Sequence, residues 1–323
     1  MATSTLIRLL DENLRRAPEY GAGLSNHLPM ALHALHVLGA SDAGLERFAA
    51  AYIDRKKLPV MSAHGAGRTP SLRLGDIGCF EAWQAHYDAR IAALGPRDAL
   101  ARALPELWPG VAAAAFHGPI RVAHAWQLGH PGELGAALAY WASRWQRIDV
   151  ESASTQDLEL ADWLAAAEAA ARSWRADGRL ISERMDRASR TPEFRAFAGG
   201  LRPCANALPH AARWAACLYA DTGDFTVLHV VTGSRAVLQL SALSAPPPQI
   251  WHAWAAAIMA SAIGERQRVE ATSCSWKEVV GAARSSLDDH VVKLVHACHE
   301  LSADHGDDEF LAAACRAVAQ GAP

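Results

Sequence analysis

Four histidines and one lysine stand where their chemistry could be put to use. His27 follows Tyr20-Gly21-Ala22-Gly23-Leu24-Ser25-Asn26 and opens a helix for which Asn26 is the expected N-cap, with Pro29 at the third position and Leu28, Leu32 and Leu35 facing inward. A histidine at such a helix mouth suits a ligand and equally a cap. His117 lies in Phe116-His117-Gly118-Pro119-Ile120-Arg121, where a proline inside a helical stretch kinks the chain and Gly118 lets a neighbour come close. Breaks of this kind cost stability and gather at sites, although a kink without function reads as well. His229 occupies the apolar helix Leu228-His229-Val230-Val231-Thr232-Gly233, as a ligand or as a hydrogen-bonded core residue. In Asp288-Asp289-His290-Val291-Val292-Lys293-Leu294, helical spacing sets His290 and Lys293 about 60° apart on one face. A lysine buried there would lose its proton readily, leaving an amine able to act as a base or to take up carbon dioxide as a carbamate. A lysine snorkelling from an amphipathic helix is the bland alternative.

The remaining candidates are weaker. His33 and His36 fall on a different arc of their helix from the inward leucines and are expected to be solvated, while His296 and His299 point away from His290. Arg121, four residues after His117, could orient an anionic substrate or face solvent. Gly21-Ala22-Gly23 starts like a dinucleotide fingerprint, but Asn26 stands at the third glycine position and no strand precedes it. No P-loop and no GxSxG motif occurs, and no histidine has a carboxylate three residues upstream, as a bundle-type di-iron site requires.

The elements that must position these residues read as helices nearly throughout. Ala-rich segments with apolar spacing of three and four predict helices over 28–38, 43–53, 80–94, 98–104, 133–147, 157–175, 207–220, 225–243, 250–264, 276–283, 287–302 and 308–319. No hairpin signal competes. Residues 54–78 read as a long irregular loop and 244–249 as a stiff connector. The expectation is an all-α protein, a single large helical domain over 1–323. With 31 Lys+Arg against 34 Asp+Glu, the net charge of −3 offers nothing to nucleic acid or to an anionic membrane. Six cysteines without a CxxC pair suggest free thiols in a reducing compartment, and no signal peptide or membrane-length apolar run is apparent, so the expected location is cytoplasmic.

The run YGAGLSNHLPMALHAL, the segment FHGPIRVAHA, the LHVVTG helix and DDHVVKL, in this order between residues 20 and 294, resemble the questin oxidase-like family of oxygenases acting on anthraquinones and related aromatic polyketides. The resemblance implies an all-helical, non-haem iron oxygenase that uses O2. Its Fe(II) would be held by His27, His117, His229 and His290 and by a carbamylated Lys293, with catalysis depending on His27 and Lys293. Four neutral imidazoles suit Fe(II), one anionic oxygen donor offsets its charge, and one position stays open for oxygen beside a phenolate substrate oriented by Trp and Tyr side chains. The expected partner is a small aromatic substrate; the oligomeric state is open. Two other readings stand beside this one. One is an NADPH-dependent, metal-free Baeyer–Villiger monooxygenase, although nothing here resembles a dinucleotide or flavin site. The other is a non-catalytic helical protein that binds a hydrophobic ligand.

Overall fold

The computed structural model describes residues 2–61, 71–150, 157–175, 177–202, 204, 206–263, 274–306 and 308–321. Their regular structure is helical, with one short hairpin. The chain opens with α1 (Ser4–Asn13) and the antiparallel strands β1 (Glu19–Tyr20) and β2 (Leu24–Ser25), which pair Glu19 with Ser25 and Tyr20 with Leu24. The helices α2 (Leu28–Val37), α3 (Asp42–Lys56), α4 (Phe80–Leu94) and α5 (Pro96–Leu107) lead to α6 (His117–Leu128) and α7 (Pro131–Ser143). After α8 (Leu160–Ser173), α9 (Ile181–Ser189) and α10 (Pro192–Phe197) come α11 (Ala207–Thr222), α12 (Phe225–Ser241) and α13 (Ile250–Met259). The chain closes with α14 (Trp276–Ser285), α15 (Asp289–His305) and α16 (Asp308–Gln320).

Four of these helices build the centre. α2 packs on α6, α6 on α12, α12 on α15 and α15 back on α2, a closed ring of four. Around it, α7 carries α4 on its outer side, α11 covers α12, and α16 fills the angle between α11 and α15. Enclosure explains the ring's sequences. Residues 28–35 of α2, 117–125 of α6, 226–237 of α12 and 291–298 of α15 are buried without interruption, so these helices have no polar face to give up to solvent. Side-chain caps start two of them: Asp224 accepts from Thr226 and Val227 of α12, and Asp288 from His290 and Val291 of α15.

Several expectations need correction. The Gly21-Ala22-Gly23 segment forms a hairpin turn after all, with Gly21 and Gly23 at φ 56° and 92°, conformations open to glycine. Pro119 does not kink a helix interior; it is the third residue of α6, where its missing N–H costs nothing. What breaks the chain is the segment before it, in which Ala114, Ala115 and Phe116 all take left-handed φ values of 47°, 57° and 67°. Asn26 is not the N-cap of α2, which is His27, although the Asn26 side chain still accepts the Leu28 N–H. Of the expected loop at 54–78, residues 62–70 lie outside the described residues, and α3 runs on to Lys56. Cys274 and Cys315, 41 residues apart, are joined in a disulfide with Cα atoms 6.4 Å apart. The expectation of six free thiols therefore fails for this pair, while Cys79, Cys204, Cys217 and Cys298 form no disulfide, because packing of α14 beside α16 unites two cysteines that no sequence spacing linked. No described helix is long and apolar enough to cross a membrane.

Candidate metal centre

Each helix of the ring brings one histidine to a common point. The rings of His27 and His117 stack with centroids 4.5 Å apart, His117 and His229 lie at 4.8 Å, His229 and His290 at 5.7 Å, and His290 and His27 at 4.9 Å. All four stand near the start of their helices: His27 caps α2, His117 and His290 are the first and second residues of α6 and α15, and His229 is the fifth of α12. The four helices thus aim the positive ends of their dipoles at the imidazoles.

Three of the four imidazoles are anchored by a hydrogen bond at Nδ1. His27 donates to Asp289 Oδ2 at 2.6 Å, His117 to the Ala114 carbonyl at 2.5 Å, and His229 to the Phe225 carbonyl at 2.8 Å. The Nδ1 of His290 lies 3.3 Å from Asp289 Oδ2 and 3.6 Å from Asp288 Oδ1. Nδ1–H held by a carboxylate or carbonyl selects the tautomer whose Nε2 keeps its lone pair, which is how metal-binding histidines are oriented. The Nε2 atoms of His117 and His290 are buried without any hydrogen-bond partner among the described residues. Buried nitrogens left unmatched cost stability unless something binds them, so the donor set fits a transition-metal ion of the kind that prefers imidazole. Among the described residues, the metal-ligand atoms that all lie within 4.8 Å of one another belong to His27, Asp289 and His290, and His117 and His229 fall outside that group.

Burial sets the protonation states. It pushes His27 down to about 3, helped by the Lys293 charge and opposed by Asp289. Burial likewise holds His117 and His229 well below the ordinary histidine value, so both are neutral. For Asp289, burial raises the pKa, but His290, His27 and Lys293 outweigh it and keep the carboxylate ionised. Lys293 is 2% exposed, one helical turn beyond Asp289, and burial lowers it to about 8 against the pull of Asp289 and Asp288. Its charge is felt by His27, His117 and His229.

The imidazoles of His27, His117, His229 and His290 form part of the wall of a half-open cavity of about 280 Å³. Apolar side chains of Leu24, Leu180, Ile181 and Phe225 line its sides, and Lys56 and Arg179 reach it as well. Tyr20 is present in the lining, but no tryptophan is, contrary to expectation. A larger cavity of about 490 Å³ lies against Pro246–Pro248, Trp251 and His252 and shares no lining residue with the first.

Three further histidines are buried together, among them His33, expected to be solvated, and His296, expected to point away from His290. His33, His124 and His296 are 3%, 3% and 0% exposed, with ring centroids 5.1 to 5.4 Å apart. They sit six or seven positions beyond His27, His117 and His290 on the same helices, and Arg235 stands six beyond His229 on the fourth. The ring helices therefore all run in one direction, from an outer tier to an inner one. In the inner tier, the Nδ1 atoms of His33 and His124 share a hydrogen bond at 2.8 Å, and Arg235 pairs with Glu300 at 2.5 Å. His36 is half-buried and His299 exposed. Arg121 neither orients a substrate nor faces solvent: it is buried in a two-pronged pair with Glu133, at 2.6 and 3.0 Å.

No curated protein matches the chain significantly. The questin oxidase-like family model matches residues 24–298, a span that includes all four histidines of the outer tier and Lys293. The chain therefore belongs to the questin oxidase-like family, a family of oxidoreductases.

Proposed function

We propose that the protein is a non-haem iron oxygenase that inserts oxygen into, or opens, a ring of a polycyclic aromatic, anthraquinone-like ketone. One observation carries this reading: four imidazoles from four segments distant in sequence meet at a half-open, largely apolar cavity, three of them anchored at Nδ1 by protein acceptors. Fe(II) would be held by His27, His117, His229 and His290, with a carbamylated Lys293 as the anionic oxygen donor. Iron bound there supplies the redox chemistry by which O2 reacts with an aromatic ring.

The chain's own residues do the rest. Asp289 fixes the tautomer of His27, and the carbonyls of Ala114 and Phe225 fix those of His117 and His229. The left-handed turn at 114–116 aims the Ala114 carbonyl at His117, and Gly233 gives it room, since a Cβ there would meet Phe116 Cγ at 2.9 Å. Leu24, Leu180, Ile181 and Phe225 flank a flat substrate and displace water from its faces. Lys293, buried between the two tiers, becomes the carbamate when its amine attacks carbon dioxide and releases one proton.

The test is oxygen uptake by Fe(II)-loaded protein in bicarbonate buffer with a hydroxylated anthraquinone. Uptake is expected to disappear in His27→Ala and in Lys293→Ala while the helical circular dichroism is kept. Full uptake by chelator-treated, metal-free protein supplied with NADPH would overturn the proposal.

A further inference from the structure

The lining of the cavity in front of the histidines carries cationic side chains, and the carboxylate nearest to them, Asp289, stands behind it. Lys56 from the end of α3 and Arg179 from the approach to α9 both line it, and no carboxylate does so among the described residues. Neither cation is consumed by a close ion pair at the cavity. The Lys56 ammonium is 3.9 Å from Asp289 Oδ1, beyond hydrogen-bonding distance, and lies 5.6 Å from the centre of the Tyr20 ring. Asp289 itself stands outside the lining and is engaged at close range by His27 at 2.6 Å. Arg179 spends one nitrogen, Nη2, on the Ala22 carbonyl of the hairpin turn. The nearby Glu183 carboxylate is turned back on the backbone, accepting the N–H groups of Arg179 at 3.0 Å and Leu180 at 3.4 Å.

A further feature favours an anion. The ring helices present their N-terminal ends to this cavity, and α9 begins in its wall at Ile181. The walls between these charges are flat and apolar. A cavity of about 280 Å³ compares with the roughly 150 Å³ that accommodates benzene, so a two-ring aromatic fits it and a larger one would extend into the open side.

We propose that Lys56 and Arg179 form an anion subsite beside the histidine centre, which makes the pocket select a flat aromatic carrying a carboxylate-type oxyanion over its uncharged analogue. The inference rests on the reading of this cavity as the substrate pocket. It gives the role once expected of Arg121 to two residues that sequence spacing did not connect with it.

The experiment compares two probes of one shape, 2-naphthoate and 2-naphthamide, binding to the full-length protein by calorimetry. The wild type is expected to hold the carboxylate about tenfold more tightly than the amide, the margin of a charge-assisted contact. Lys56→Met and Arg179→Met should each reduce that preference, and the double variant should bring the two probes within about threefold while amide affinity stays the same. Raising the salt concentration should weaken the naphthoate alone. Equal binding of the two probes to the wild type, or a preference that survives in the double variant, would overturn the anion subsite and leave the oxygenase reading in place. Binding of neither probe would overturn the substrate pocket and the subsite together.

Discussion

A neutral imidazole can bind a metal only through a nitrogen that keeps its lone pair, and the other nitrogen decides which one that is. In this protein Asp289 makes that choice for His27 and also lies against His290. Asp289→Asn would keep the size of the side chain and lose its charge. Metal affinity is expected to fall by about 10- to 100-fold with the fold intact, read as the chelator concentration needed to strip the ion. His27, His117, His229, His290 and Lys293 could be singled out because each stood in a short motif with an odd neighbour, a helix mouth, a Gly-Pro pair, an apolar helix or an acidic cap, but their union as one ligand set came from the family resemblance and not from those motifs. Asp289 was part of one of those motifs, but its partner His27 is 262 residues away, and nothing local marks such a bond. Lys56 and Arg179 were invisible for the same reason, since only packing of α3 and of the approach to α9 brings them to one cavity.

At the scale of elements, the ring helices depend on close approaches that tolerate no added atom. Gly233 of α12 lies under Phe116, and Gly118 of α6 lies under Trp141, where a Cβ would come within 2.8 Å of Cγ. Gly233→Ala is expected to destabilise the protein by about 1–3 kcal/mol in chemical denaturation and to lower its metal content, because the turn that must shift also holds His117. Gly118→Ala should show a similar loss of stability. The Arg121–Glu133 pair between α6 and α7 is a second dependence of this kind. Arg121→Met would leave Glu133, which is 1% exposed, without its counter-charge and should cost about 3–5 kcal/mol in the same measurement. Most helices were legible from apolar spacing, because outer helices such as α4 and α11 keep a solvated face. α6 was not, since its first residues are His117-Gly118-Pro119 and nothing in Ala114-Ala115-Phe116 announces a left-handed turn. His33 was assigned to solvent by an arc argument that assumes one buried face, which fails for helices enclosed on every side, whereas His296, read as pointing away from His290, does lie in the other tier.

At the scale of the whole molecule, His27, His117 and His229 in one tier and His33, His124 and His296 in the other are imidazoles that burial keeps neutral in the centre of a ring of four helices that run in one direction, and they should make the fold sensitive to acid. Burial, aided by the Arg235 charge, holds His296 at about 4, below the ordinary histidine value of about 6.5. Protons then bind the unfolded chain in preference to the folded one, so the stabilisation is complete above the unfolded value and is lost as the pH falls from there towards 4. At pH 5 this one imidazole would withdraw about 2 kcal/mol, and His33 and His124, depressed in the same direction by burial, would add to the loss. Chelator-treated protein should therefore melt at clearly lower temperature at pH 5 than at pH 7; an unchanged melting temperature would show that these histidines are not held neutral. The all-α architecture was legible in the sequence, but the common direction of the ring helices was not, because it depends on return connections running through α3–α5, α7–α11 and α13–α14. The central claim is that His27, His117, His229 and His290 share one ion, and elemental analysis of the purified protein after anaerobic Fe(II) loading and desalting tests it most directly. The account predicts close to one iron per chain in the wild type and almost none in a folded His117→Ala/His229→Ala double variant. Iron content that survives that double substitution unchanged, or a wild type that retains no iron, would contradict it.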